Sequence, residues 1–291
     1  IGTTGTGEVL TLLSEGAMSA EQFETIIGSS GADTLTLAGA GGSATISRIE
    51  SLVGSTGTDV VTLSQGGTLS LDAVETVLGS ATAVDALTLT GTQDAIAVSA
   101  VDSVTGQSGV TDTVTMLAAG ALRVSDIDSV VGSAGTDVLT LGNATDLTAR
   151  GVESVIGSSG TDSVTLAGTQ TAIAISAVEA VTGNTTGTTD TVTLLASGAI
   201  TVSGIDTVLG ASGATDQVTL SADDTLRISG VETVIGATGS EAIVMLTGGA
   251  VAISSVETVT GSAGSADVIT LLDTPAAALK VAGIDRDIGT T

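Results

Sequence analysis

Cysteine, histidine, tryptophan and tyrosine are absent from the sequence, and phenylalanine and proline occur once each, as Phe23 and Pro275. Without cysteine there are no disulfides and no thiolate metal sites. Without histidine, cysteine or tyrosine, carboxylates are left as the groups for acid, base or nucleophilic chemistry near neutral pH, and the expectation is a protein that is not an enzyme. Basic residues are scarce too: six Lys and Arg stand against 32 Asp and Glu, for a net charge of −26. Such a surface repels nucleic-acid phosphates and anionic membranes and attracts divalent cations. No apolar run approaches the ~18 residues that a membrane-spanning helix needs. The chain opens at Ile1 without an initiator methionine or a charged leader, which reads as a piece processed or cut from something longer.

The hydrophobic content, 42%, is ample, but Val, Ile, Leu and Ala must fill the core almost alone. They do so in a repeat. A phrase of the type Val-Glu-x-Val-x-Gly places its glycine at Gly2, Gly28, Gly54, Gly79, Gly106, Gly132, Gly157, Gly183, Gly210, Gly236, Gly261 and Gly289, a mean period of about 26 residues across eleven intervals. Four residues before each glycine from Gly28 onward stands a first acid: Glu24, Glu50, Glu75, Asp102, Asp128, Glu153, Glu179, Asp206, Glu232, Glu257 and Asp285. Five to seven residues after each glycine from Gly2 to Gly261 stands a second: Glu8, Asp33, Asp59, Asp85, Asp112, Asp137, Asp162, Asp190, Asp216, Glu241 and Asp267.

Behind the second acid runs an alternating segment such as Thr34-Leu35-Thr36-Leu37 or Thr113-Val114-Thr115-Met116, the period-two pattern of a half-buried strand. A further alternating segment follows in most repeats, for example Ile173-Ala174-Ile175-Ser176. Each repeat thus offers three short strands, too little to bury its own apolar face but suited to stacking on an identical neighbour. The predicted architecture is all-β: residues 1–291 as one continuous right-handed, three-sided parallel β-helix of about eleven coils, one coil per repeat. Leu35, Leu37, Val114, Met116, Val192 and Leu194 should face inward. Identical coils would stack each acid series into a column at about 4.8 Å spacing. At an effective dielectric near 20, each such contact would cost about 3.5 kcal/mol.

The stretch Gly28-Ser29-Ser30-Gly31-Ala32-Asp33-Thr34-Leu35 resembles the glycine-rich nonapeptide of hemolysin-type (RTX) calcium-binding repeats, and the match recurs at Gly54 to Asp59, Gly132 to Asp137 and Gly157 to Asp162. The second glycine of that pattern is serine at all four places, and the repeat is longer than the family's. The resemblance implies Asp33, Asp59, Asp137 and Asp162 as Ca²⁺ ligands, oxygen donors suited to a hard cation. It also implies an extracellular or cell-surface location in a bacterium, since such repeats occur in surface-layer proteins and large adhesins. The same aspartates could instead accept backbone N–H groups in the bend, with no metal.

Three residues after most second acids stands a threonine, from Thr11 and Thr36 to Thr270, broken by Val244. Such a series suits a hydroxyl ladder or a packing face. The functional expectation is a self-assembling structural protein of a surface layer, sheath or filament, stabilised by calcium. A repetitive adhesin stalk and an ice-binding solenoid are the alternatives. Its partners would be further copies of itself, end to end or side by side. End-to-end stacking is suggested by the phrase Ile1-Gly2-Thr3-Thr4, which returns as Ile288-Gly289-Thr290-Thr291.

Overall fold

A computed structural model describes residues 2, 7–184, 189–264, 266–274 and 278–288. Most of the two matching terminal phrases and Pro275 lie outside the described residues. Within them the chain forms 33 strands and no helix. It divides into two compact units, residues 1–145 and 146–291.

The first turns show how the chain winds. Strands β1 (Val9–Thr11), β3 (Thr25–Ile27) and β5 (Gly41–Ser47) pair in parallel in one sheet. Strands β2 (Gly16–Ala20), β4 (Asp33–Leu37) and β6 (Ser51–Val53) pair in parallel in the other. Successive strands therefore alternate between two sheets, and two strands make a turn. The rule persists through both units. We call the sheet that contains β1 the odd sheet and the other the even sheet.

The class is the expected parallel β-solenoid, but the turn is not the repeat. Partners across the ladder differ in number by 16 residues, as for Val9 and Thr25, up to 22, as for Thr258 and Lys280. The chain makes about 15 turns rather than eleven, and each has two sides instead of three. A repeat of three strands covers one and a half turns, so two repeats complete three. The near absence of aromatics explains why two walls suffice. Sheets packed face to face stand about 10 Å apart, a gap that Val, Leu and Ile from both sides fill without a third wall.

Alternation sets the core. In the first unit Ile26, Ile46, Val77 and Val114 of the odd sheet and Leu35, Leu52, Leu71 and Leu87 of the even sheet are buried, while the residues between them face out. Of the six residues expected inside, Leu35, Val114, Met116, Val192 and Leu194 are buried. Leu37 is half-buried. Strand β6 ends its pairing at Thr36, and Leu37 borders a cavity of about 500 Å³ beside Ala38–Ser43.

The threonine series is split by the same winding. Thr36, Thr88 and Thr140 lie in the even sheet and Thr11, Thr62 and Thr115 in the odd one. The hydroxyl column that does form on the even sheet of the first unit draws on all three segments of the repeat: Thr34, Ser51, Ser70, Thr88, Thr105 and Ser125.

Candidate functional site

Both acid series lie at the bends, and both are occupied by the backbone. Beyond Glu8 the second acids are sealed from solvent: Asp33 and Asp59 are 1% exposed, and Asp137 and Asp162 are fully buried. In each case Oδ2 accepts the N–H of the residue after the repeat glycine, from Ser29, Ser55, Ser133 and Ser158, all at 2.6 Å. The hydroxyls of Ser55, Ser133 and Ser158 donate to the same oxygens at 2.9 Å. Oδ1 of Asp33 and Asp137 accepts N–H groups from the preceding turn, Gly16 at 3.0 Å and Gly120 at 3.1 Å.

Most first acids close a clasp on the turn before them. The N–H of Asp33 donates to Oε2 of Glu50 at 2.8 Å, while the N–H of Glu50 donates to the carbonyl of Asp33 at 3.2 Å. The same reciprocal pair joins Asp85 to Asp102, Asp112 to Asp128, Asp162 to Glu179, Asp190 to Asp206, Asp216 to Glu232 and Asp267 to Asp285. The bend, where ladder bonds stop, thus has its amides satisfied by carboxylates.

One expectation changes with this geometry. Like acids do not stack one turn apart. Asp33 and Asp85 share the even sheet three turns apart, about 14 Å at 4.8 Å per turn, so the column repulsion expected from the sequence is replaced by one first-acid to second-acid contact per repeat. The four aspartates implied as Ca²⁺ ligands also face N–H and O–H donors. These donors take lone pairs that a cation would also need. Among the described residues, no group of three or more Asp and Glu side chains is arranged to hold a metal.

The bend also explains the repeat glycine. Two residues before each first acid the chain enters the left-handed region, at Gln22, Arg48, Ala73, Ala100, Asp126, Gly151, Ala177, Gly204, Gly230, Ser255 and Gly283, with φ between +50° and +65°. The carbonyl at that position presses on the glycine of the turn beneath. A Cβ on Gly28 would stand 1.7 Å from the Arg48 oxygen, and one on Gly157 1.6 Å from that of Ala177. Sequence reasoning had no sign of this stack beyond the glycines themselves.

Three second acids are less well served. Asp85 and Asp112 each have one buried oxygen without a partner, and burial raises both carboxyls above the ordinary range. Both follow bends that are one residue longer than those before Asp33 and Asp59. Glu241 has neither oxygen partnered although it is 1% exposed. Burial, and then the neighbouring Glu257 carboxyl, push it up to about 7.

The cavity beside Ala38–Ser43 is lined by the carboxylates of Glu21, Glu24 and Asp59 and by Phe23. Glu24 and Asp59 already accept the N–H groups of Glu8 and Ser55 there. Comparison with family models, with curated proteins and with solved structures returns no match to this chain.

Proposed function

We propose that the chain is a structural, self-associating building block of an extracellular or cell-surface assembly, acting through its shape and its faces rather than through a reaction. The observation that carries this reading is the use of the acids: carboxylates of both series are committed to backbone amides, repeat after repeat, where they hold turns together. The faces between the bends carry small side chains, such as the hydroxyl column from Thr34 to Ser125, and suit packing against a flat surface. Further copies of the chain are the partners that this reading requires, and it has no need of calcium at Asp33, Asp59, Asp137 or Asp162. Sedimentation velocity over a range of protein concentrations, with electron microscopy of the same samples, tests it. Ordered polymers or sheets are the expected result, and a chain that stays monomeric at every concentration overturns it.

A further inference from the structure

The six basic residues lie at the surface. Arg48, Arg123, Arg150, Arg227, Lys280 and Arg286 are all exposed. Arg227 lies between the buried Leu226 and Ile228 and so points outward from the even sheet. Lys280 pairs with Thr258, whose neighbour Val259 is buried, and also projects from the outer face of that sheet. Arg123 occupies the corresponding outward place on the even sheet of the first unit, between buried Leu122 and Val124. The positions around Arg227 and Lys280 are Ala242, Val244, Thr258 and Thr260. Asp206 and Glu257, whose carbonyls accept the N–H groups of Arg227 and Lys280, border this small patch at the bend, and their carboxylates accept the N–H groups of Asp190 and Glu241.

Their spacing is set by the repeat. Arg227 and Lys280 are 53 residues apart, as are Glu179 and Glu232, and Glu232 and Asp285. Each interval is two repeats, that is three turns, about 14 Å along the stack. Cations and first acids in the second unit therefore share the same rise along the stack, with Lys280 one outward column aside from Arg227, whose own column runs through Val244 and Thr260 to Ala282. The acids stand at a bend, with Glu179 and Asp285 exposed and Glu232 half-exposed. One oxygen of each takes a backbone N–H, from Asp162, Asp216 and Asp267, so the carboxylates are held in place.

We infer that the outer face of the even sheet in residues 146–291 docks the acidic bend of a second copy lying alongside in parallel, with Arg227 and Lys280 meeting two consecutive members of the Glu179, Glu232, Asp285 row. This rests on the self-association proposed above and names its surface. Charge and spacing both match, and the small flanking side chains allow close approach. The contact joins different surfaces of the two copies, so it leaves each copy a free face and a free bend, and the assembly grows as a ribbon.

Lys280 is the only lysine in the chain, which makes the test direct. Isotopically labelled and unlabelled chains are mixed, allowed to assemble and coupled with a carbodiimide, which joins an amine to a carboxylate with loss of water. Mass spectrometry should find mixed-label peptides linking Lys280 to Glu232 or Asp285. The double variant Arg227→Ala with Lys280→Ala, both exposed and outside the clasps, should melt like the parent and lose the large species in sedimentation. Assembly that persists in this variant, or mixed-label links from Lys280 to other carboxylates only, overturns the docking while leaving self-association intact. A chain that is monomeric throughout overturns both.

Discussion

Beyond Glu8, every second acid is aspartate except Glu241, and the extra methylene has a measurable consequence. In the bend of equal length at Asp33, the carboxylate takes the N–H of Ser29. Glu241 takes no bond from the equivalent donor, Ala237, and lies buried with both oxygens unpartnered beside Glu257, with Asp223 also near. Its carboxyl is raised from 4.5 to about 7, so the folded state holds a proton that the unfolded chain has released. The stability this contributes is complete below about pH 4.5 and is lost as pH rises through 7. Thermal melts should therefore show the parent less stable at pH 8 than at pH 5, with that part of the slope removed in Glu241→Gln. Glu241→Asp should also remove it and gain about 1 kcal/mol at pH 8 by taking up the N–H of Ala237. Equal slopes in parent and both variants would show that the Glu241 carboxyl is not held protonated.

At the scale of the element, the bend is the unit of stability, and two kinds of substitution read it. Asp162→Ala removes the acceptor of the part-buried N–H of Ser158 and should cost about 1–3 kcal/mol. That loss should be the same with calcium or with a chelator, and chelation should leave the parent's melting temperature unchanged. A chelator-induced drop reversed by Ca²⁺ would restore the metal reading. Ala100 and Ala177 hold φ of +53° and +50° on exposed bends, where glycine is at ease. Ala100→Gly and Ala177→Gly should each stabilise by up to about 1 kcal/mol, measured by denaturant unfolding. In contrast, Gly157→Ala, facing the Ala177 carbonyl, should destabilise by about 1–3 kcal/mol. Strands and their inward residues were legible in the sequence because alternation at Leu35, Val114 or Val192 is a local property. Which donor a bend carboxylate meets was not, because Asp33 and its partner Gly16 come together only once the turn has closed.

For the whole molecule, the sequence displays the period of its composition and conceals the period of its winding. Twenty-six residues return the same phrase, yet closure is decided by how few side chains bridge two sheets, and nothing in Val-Glu-x-Val-x-Gly records that. The mismatch makes parity a structural variable. Adjacent repeats are turned over with respect to each other, so a residue reappears on its own face only after an even number of repeats. Duplicating one repeat between Arg227 and Lys280 should leave every clasp and strand intact while sending the two cations to opposite faces. Melting would then be nearly unchanged and lateral association lost. Duplicating two repeats should return both cations to one face, at twice the separation. A lineage of such chains that lengthens one repeat at a time would switch its surface on and off at each step, whereas one that lengthens by pairs would keep it.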